Sequence, residues 1–301
     1  MKEPLVSIIT VNYNQADVTC AMLDSLRKLS YANIEVIVVD NGSKENPQEK
    51  IKACYPEAHL ILSKENLGFA GGNNLGIKTA KGAFLFFVNN DTELTPGIIE
   101  NLLEPFGRIT ELGVTCPKIY YYDRPQMIQY AGYTPINLFT ARNSTIGQYE
   151  LDKGQHDAEQ PTPYAHGAAM MVKRDAIEKA GLMPEFFFLY YEELDWCEQF
   201  RRAGFQIYYV PKATIYHKES VSVGKMSPLK TYYLTRNRIL FMRRNASGLR
   251  CMLFALFLVF ITIPKNLLVY LVKGEFKLAQ AFLQGAIWNL FNPAPKISQP
   301  A

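Results

Sequence analysis

The stretch IEVIVVDNGS, at residues 34–43, passes from a block of β-branched residues directly into a polar turn. The same arrangement occurs twice more: VSIITV at residues 6–11 precedes the polar residues 12–14, and AFLFFV at residues 83–88 precedes residues 89–93. Short apolar runs of this kind are typical of strands buried on both faces of a parallel sheet. Because such sheets bind ligands at the carboxyl ends of their strands, the three polar clusters predict a binding site at one sheet edge.

Helical patterns lie between these strands. Apolar residues recur at helical spacing over residues 16–29, and further helices are expected at residues 47–55 and at about 72–80, with a strand at 59–62. Strands that alternate with helices form βαβ units, so the sequence predicts an α/β fold with a mostly parallel central sheet.

The second hundred residues are less regular. Strands are expected at residues 114–122, 165–172 and 206–210, and an amphipathic helix is expected at 192–203. A polar loop at about residues 142–163 exceeds twelve residues without a pattern of its own, which is typical of functional or mobile segments.

The composition excludes several classes of protein. Of 301 residues, 48% are hydrophobic and 20% are charged, so the chain has a large core and is neither disordered nor fibrous. The five cysteines form no CxxC pair, which excludes a zinc knuckle or a disulfide framework and favours reduced thiols in the cytoplasm. The apolar run at residues 5–11 is too short for a secretory signal, so none is expected.

Positive charge is concentrated toward the C-terminal end. Residues 221–301 carry eleven Lys or Arg and one acidic residue, a formal charge of +10, whereas residues 1–220 carry 21 basic and 27 acidic residues, a charge of −6. The other residues of the basic segment are mainly Leu, Phe, Ile and Val, which favours a membrane surface over nucleic acid as the partner.

The apolar run at residues 251–272 is interrupted at Pro264 and Lys265. A membrane-spanning helix needs about 20 continuous apolar residues, so two helices lying in the membrane interface are expected, with a true span or a buried soluble helix as alternatives. We therefore divide the chain into a domain at residues 1–227 and a basic, apolar helical region at 228–301 that associates with membranes.

Two of the polar clusters suit phosphate chemistry. In NLGFAGGNNLG, residues 66–76, glycines ahead of a helix allow backbone N–H groups to approach a phosphate, and a tight turn with a helix cap explains them equally well. Asn89 and Asp91 follow a strand two residues apart, which suits Mg²⁺ or Mn²⁺ bound together with a diphosphate, or an Asx turn that merely ends the strand.

A third cluster has three carboxylates at the start of a helix. Glu192 and Asp195 are three positions apart and share a face of that helix, whereas Glu193 points elsewhere. One carboxylate is therefore free to act as a general base while another has a structural role. His217 follows a strand-like stretch and is the histidine best placed near a strand end.

Taken in order along residues 5–245, these clusters resemble glycosyltransferase family 2, in particular its bacterial rhamnosyltransferase-like branch. The motifs that carry the resemblance are SIITVNYN, VVDNGS, ENLGFAGGNNLGI, FFVNNDTEL, HGAAMMVKRDAI, FLYYEELDWCEQFRRAGF, and His217 followed by Arg236 and Asn237. The string Asn-Leu-Gly-Phe-x-x-Gly-x-Asn is the most specific of them.

The resemblance implies a GT-A fold that binds a nucleoside-diphosphate sugar and transfers the sugar with inversion, with a donor half at about residues 1–110 and an acceptor half at 111–227. The donor positions of the family fall on Tyr13, Asp40, Gly72, Asn73, Asn90 and Asp91. The metal positions, for Mn²⁺ or Mg²⁺, fall on Asn89, Asp91 and His217; asparagine replaces the first aspartate of the family's DxD motif. The general base falls on Glu193 or Asp195.

These expectations combine into one functional hypothesis. The chain transfers a sugar from dTDP-rhamnose or a UDP-hexose to a glycan or polyprenyl-linked acceptor in bacterial surface polysaccharide synthesis, at the cytoplasmic face of the cell membrane. The alternative is a non-catalytic relative that binds nucleotide sugars or glycans and scaffolds a membrane complex. A nicotinamide-dependent oxidoreductase is disfavoured, since no GxGxxG follows the first strand. The oligomeric state is left open.

Overall fold

The computed structural model describes residues 3–218 and 227–295. Its first half is the predicted α/β unit, in which four parallel strands lie in the order β3-β2-β1-β4. The strands are β1 (Val6–Asn12), β2 (Ile34–Asp40), β3 (His59–Leu62) and β4 (Phe84–Val88), and the helices are α1 (Ala16–Leu26), α2 (Gln48–Cys54) and α3 (Gly68–Thr79).

The second half extends this sheet in a mixed arrangement. Beyond β4 the order continues β9-β6-β10-β5; β9 is antiparallel to both of its neighbours, β10 is parallel to β6, and β5 is antiparallel to β10. The sheet is thus entirely parallel in its first half and mixed in its second. The elements are β5 (Thr92–Leu94), α4 (Ile98–Leu103), β6 (Leu112–Tyr121), β7 (Arg124–Tyr130), β8 (Gln160–Pro161), β9 (Ala169–Lys173), α5 (Arg174–Ala180), α6 (Glu192–Arg202) and β10 (Gln206–His217).

Several predicted boundaries were wrong in this half. β7 was missed because its first residues are polar and exposed, so its sequence lacks an apolar run. β10 continues seven residues past the predicted end, through a register shift between Val210 and Thr214, and this extension brings His217 into the sheet. The loop at 142–163 contains β8 and bridges to residues 127–137.

Helix α3 begins at Gly68, four residues before the predicted start. Gly68 has a φ of +74°, and a Cβ atom there would lie 2.2 Å from the carbonyl oxygen of Phe188, so no larger residue fits. In the next turn, a Cβ on Gly72 would lie 2.9 Å from Val11 Cγ1 on β1. These glycines therefore allow α3 to pack closely against the sheet and against the segment before α6.

The C-terminal region consists of helices that pack on the sheet domain and on one another. They are α7 (Pro228–Asn245), α8 (Gly248–Phe257), α9 (Ile263–Val272) and α10 (Phe276–Phe291). Arg243 of α7 donates hydrogen bonds to the carbonyl oxygens of Asn289 and Asn292, at 2.8 and 2.9 Å, which fixes α10 on α7.

The predicted break at Pro264 is wrong, since α8 and α9 form one helix from Gly248 to Val272. A π-helical turn, Leu258–Thr262, joins them and contains the carbonyl four residues before Pro264. Proline has no N–H to donate to that carbonyl, and its ring needs space beside the preceding turn. The wider π-helical turn accommodates the ring and the unbonded carbonyl without ending the helix. At 25 residues this helix is long and apolar enough to cross a membrane, and it is mostly exposed.

The close approach at Gly68 makes a direct test of the packing. We expect Gly68→Ala to lower the free energy of unfolding by about 2 kcal/mol or more, because the methyl group is forced into a left-handed conformation against a backbone oxygen. Gly107→Ala is the matched control, since nothing lies within 4 Å of the added atom. Urea denaturation of the two variants measures the difference, and equal stability would contradict this account of α3.

Candidate active site

A chain of hydrogen bonds joins the carboxyl ends of the three central strands. At the end of β2, Asp40 Oδ1 accepts from Asn12 Nδ2, 2.7 Å away at the end of β1, and from the Ser43 hydroxyl. Asn12 Oδ1 accepts from the Thr19 hydroxyl at 2.7 Å, and Thr19 in turn accepts from Asn90 Nδ2 at 3.0 Å. The three polar clusters expected at one sheet edge are thus brought together.

The candidate donor residues differ in accessibility. Tyr13 is 40% exposed beside this network, whereas Asp40 is 3% exposed and engaged by its neighbours. Asn73 is buried, and its Nδ2 donates to the Phe69 carbonyl oxygen one turn earlier in α3. With Gly72 it lies in the second turn of the helix, away from the N-terminus where the sequence placed it.

The N-terminal amides of α3 already have protein acceptors. Leu67 N and Gly68 N donate to the side-chain oxygens of Asn41 and Asn66, at 3.1 and 2.9 Å, and Phe69 N donates to the Phe188 carbonyl oxygen at 2.8 Å. Phosphate binding at this helix start stays a prediction, although in this conformation the amides of residues 67–69 bond to protein oxygens. They serve the turn and cap that the sequence equally allowed.

Asp91, in the turn after β4, and His217, at the end of β10, form a buried pair. His217 Nε2 lies 3.1 Å from Asp91 Oδ1, and the two residues are 6% and 7% exposed. The other ring nitrogen, Nδ1, lies 2.9 Å from Gln129 Oε1, which only accepts hydrogen bonds, so Nδ1 carries the hydrogen. In the neutral imidazole, Nε2 then presents a lone pair to Asp91 Oδ1, which is buried and accepts no hydrogen bond.

This pair has the donor set of a cation site. Adjacent ligands of one octahedral ion lie about 3 Å apart, which the Asp91–His217 distance matches. Asn89 lies on the same tight turn, half-buried, and its backbone oxygen accepts from Thr92. Within residues 3–218 and 227–295, no group of three or more His, Cys, Asp or Glu side chains is placed to hold an ion. An ion here would take Asp91, His217 and the Asn89 amide, with its remaining positions open to a substrate.

The segment at residues 165–168 connects this pair with Glu193. The His166 ring lies 6.1 Å from the His217 ring, and burial, with His217 adding to it, lowers the pKa of His166 to about 3. One residue on, Gly167 faces Glu193, whose Cγ would lie 3.6 Å from an added Cβ. The predicted metal and base residues therefore flank a single short loop.

The two adjacent glutamates differ in burial and in pKa. Burial raises the pKa of Glu193 to about 7, so the half-buried carboxylate exchanges its proton near neutral pH. Glu192 is 3% exposed, and burial followed by the neighbouring Glu193 raises its pKa well above the usual range. Glu193 alone of the two has the accessibility and pKa of a general base.

Asp195 lies apart from this loop, in a contact between α6 and α7. It is fully buried, and its two oxygens accept from Arg244 Nε and Nη2 at 3.1 and 3.2 Å. Asn245 Nδ2 and Gln199 Nε2 also donate to it, at 2.7 and 3.0 Å. Both oxygens are occupied in this ion pair, which anchors α6 to α7.

Sequence reasoning gave no role to the residues that hold the start of α6 in position. Phe188, Tyr190 and Tyr191 all have φ between +65° and +75°, which is costly for residues with side chains. Asn237 Nδ2 lies within 2.9 Å of the carbonyl oxygens of Phe187, Leu189 and Tyr190. Its neighbour Arg236 donates to the carbonyls of residues 186 and 187. In the sequence, these residues stood out only because Arg236 and Asn237 are among the motifs of the family resemblance.

The comparisons with known proteins agree with this geometry. The family model described as glycosyl transferase family 2 matches residues 7–181, more than half of the chain. The chain belongs to glycosyltransferase family 2. Members of this family transfer sugars from nucleotide-sugar donors. The matched region includes the strand-end network and the loop at residues 165–168.

Two curated relatives refine the branch. The chain is 24% identical over 241 residues to the N-acetylglucosaminyl-diphospho-decaprenol L-rhamnosyltransferase of Mycobacterium tuberculosis, covering 73% of this chain and 78% of the relative. It is 26% identical over 244 residues to a low-salt glycan biosynthesis hexosyltransferase of Haloferax volcanii, covering 78% of this chain and 74% of the relative. The chain is thus rhamnosyltransferase-like, as its sequence predicted.

A solved structure confirms the GT-A fold. The mannosyltransferase of Pyrobaculum calidifontis in complex with GDP-mannose and Mn²⁺ superposes with a TM-score of 0.60 at 15% identity, covering 98% of this chain and 83% of that one.

The structural role of Asp195 can be tested without any substrate. We expect Asp195→Ala to lower the free energy of unfolding by about 3–5 kcal/mol, because it leaves the buried Arg244 guanidinium without its counter-ion. Glu193→Gln, on the same helix, loses no ion pair and should change stability by less than about 1 kcal/mol. Equal losses for the two variants in urea denaturation would contradict this division of roles.

Proposed function

We propose that this glycosyltransferase moves a hexosyl or rhamnosyl group, with inversion, from a nucleoside-diphosphate sugar to a lipid-linked glycan acceptor, using Glu193 as the base. The observation that carries the proposal is the placement of Glu193 and the Asp91–His217 pair on either side of the loop at residues 165–168. One site then holds a carboxylate for the acceptor and a cation site for the leaving group.

The donor would bind at the strand ends. Tyr13 offers an exposed ring for a nucleoside base, and the Asp40 network holds the β1 and β2 ends rigid beside it. Asn90 connects that network to Asp91, so the nucleoside and diphosphate positions are linked through hydrogen bonds. dTDP-rhamnose and UDP-hexoses are the donors we favour, the former because of the mycobacterial rhamnosyltransferase relative.

Asn89, Asp91 and His217 would hold Mn²⁺ or Mg²⁺, and the solved mannosyltransferase, which contains Mn²⁺, supports this assignment. When bound, a divalent ion neutralises charge that develops on a nucleoside diphosphate as it leaves. Gln129 fixes the His217 tautomer, so that Nε2 is available as a ligand, and the buried Asp91 Oδ1 faces the same point.

Glu193 would accept the proton of the acceptor hydroxyl as that oxygen attacks the anomeric carbon. A pKa of about 7 makes this carboxylate a stronger base than an exposed glutamate, yet leaves much of it ionised at neutral pH. One displacement with one base needs no covalent intermediate, which inverts the configuration. Asp195, the other candidate, has both oxygens bound to α7 and is assigned a structural role.

The acceptor and location follow from the C-terminal helices and the relatives. The helix Gly248–Val272 is apolar and exposed, and the mycobacterial relative is named for an N-acetylglucosaminyl-diphospho-decaprenol substrate. We therefore place the enzyme at the cytoplasmic face of the cell membrane, where it would act in bacterial surface polysaccharide synthesis on a polyprenyl-linked acceptor.

Substitution of Glu193 tests the assigned base. We expect Glu193→Gln to lower kcat by about 10²–10⁴-fold in a sugar-transfer assay, since the amide cannot take the proton. For the unchanged enzyme, kcat/KM should rise about tenfold per pH unit below 7 and level off above about 8, because only the ionised carboxylate acts. Glu178→Gln, at an exposed position of α5, is the control. Full activity of Glu193→Gln would reject this residue as the base.

The cation site is tested by nucleotide binding. Thermal shifts with UDP and dTDP should be larger with Mn²⁺ than without it, since a ligand that binds the folded form stabilises it. Asp91→Asn and His217→Gln should each weaken the Mn²⁺-dependent binding by at least about tenfold. His59→Gln, exposed on β3, should leave it unchanged. Equal shifts with and without Mn²⁺ would remove the metal from the proposal.

A further inference from the structure

A cavity of about 320 Å³ lies between the sheet domain and the C-terminal helices. α7, the long helix Gly248–Val272 and α10 form its walls, and residues 142 and 191 close it on the side of the sheet domain. Arg142, Lys230 and Arg238 line it, and no Asp or Glu among the residues that the structure describes does so. The cavity is therefore a cationic chamber whose far wall is the apolar helix.

Within residues 3–218 and 227–295, the cations of this chamber have no anionic partner. Arg238 donates one hydrogen bond, from Nη2 to the Thr140 carbonyl oxygen, while its buried Nε has no partner in the same part of the chain. Burial lowers the pKa of Arg238, and the nearby Arg142 lowers it further. The Lys230 ammonium lies 5.8 Å from the centre of the Tyr190 ring. An arrangement that gathers like charges, with a buried donor left unpaired, is stabilised when an anion enters.

The chamber opens onto the segment that positions the proposed base. Tyr191 lines the cavity and lies two residues before Glu193. Burial is the main cause that raises the pKa of Tyr191 to about 12. The nearby Arg238 and Arg142 lower this pKa, whereas Glu193 raises it. Tyr191 thus lies between the cations and the Glu193 carboxylate, and an anion held by the cations would be next to the site of transfer.

The opposite wall offers a path for a hydrocarbon chain. Leu258, Thr262 and Tyr270 of the long helix face the cavity, whereas Phe260 and Val272 on the same helix are 70% and 78% exposed. A ligand with an anionic head and a long apolar tail matches both features at once. Free inorganic phosphate or diphosphate would match only the first.

We propose that this chamber binds the diphosphate of an isoprenoid-linked acceptor, with Arg142, Lys230 and Arg238 as its anion ligands and the tail lying along the helix Gly248–Val272. This inference rests on the proposed function, since it assigns the acceptor of that reaction to a defined site. The diphosphate of the nucleotide donor would occupy a different site, at Asp91 and His217.

Binding measurements on the full chain test this assignment without turnover. Farnesyl diphosphate is the probe, farnesol is the same chain without the anion, and inorganic diphosphate is the anion without the chain. We expect farnesyl diphosphate to bind at least tenfold more tightly than either, by calorimetry in detergent. Arg142→Gln and Lys230→Gln should each weaken its binding about tenfold, and Arg250→Gln, an exposed cation outside the cavity, should not.

The possible outcomes separate this inference from the proposed function. Farnesyl diphosphate affinity unchanged by Arg142→Gln and Lys230→Gln, or equal affinity for farnesol, overturns the cationic site. Equal affinity for inorganic diphosphate overturns the lipid assignment. Mn²⁺-dependent UDP or dTDP binding, measured in the same variants, should stay unchanged. If the unsubstituted chain shows no Mn²⁺-dependent nucleotide binding, this counts against the proposed function, whatever the farnesyl diphosphate results.

Discussion

The site depends on how two side chains of α7 hold the backbone before α6. Three residues in that segment adopt left-handed conformations that cost free energy, and they persist because Asn237 and Arg236 donate to the surrounding carbonyls. Asn237 Nδ2 has two hydrogens within reach of three oxygens, so at least one bond is shared. Without these donors the carbonyls of Leu189 and Tyr190 would lose their side-chain partner, and the turn that aims Glu193 at Gly167 would relax.

The electrostatics of the site follow from this arrangement. Burial, followed by the neighbouring Glu193, raises the pKa of Glu192 well above its usual range, and burial raises the pKa of Glu193 to about 7. Asp195, one turn further along α6, is paired instead with Arg244. Three carboxyl groups within four positions thus have three different surroundings, which their neighbours determine.

The parallel half of the fold could be predicted because each strand is a short apolar run that ends in polar residues, as at residues 34–43. β7 could not, since Arg124, Pro125 and Gln126 are exposed and only its last residues are apolar. Asp91 and His217 could be proposed as partners from the resemblance, but their contact depends on the register of β10 against β5, which pairs His217 with Thr92. The ion pair of Asp195 could not be predicted either, because its partner Arg244 lies 49 residues away in the sequence.

Helix α7 donates hydrogen bonds to two other parts of the chain. The segment before α6, and α6 itself, accept from Arg236, Asn237 and Arg244, whereas Arg243 donates to the carbonyls of Asn289 within α10 and of Asn292 just after it. A recombination event that joined the first 227 residues to another member's C-terminal part would need a matching Arg-Asn pair to keep the turn. A junction after residue 245 would leave Arg243 without the matching carbonyl oxygens in the new C-terminal part. The long apolar helix Gly248–Val272 and the segment that carries Glu193 are therefore constrained to be inherited together.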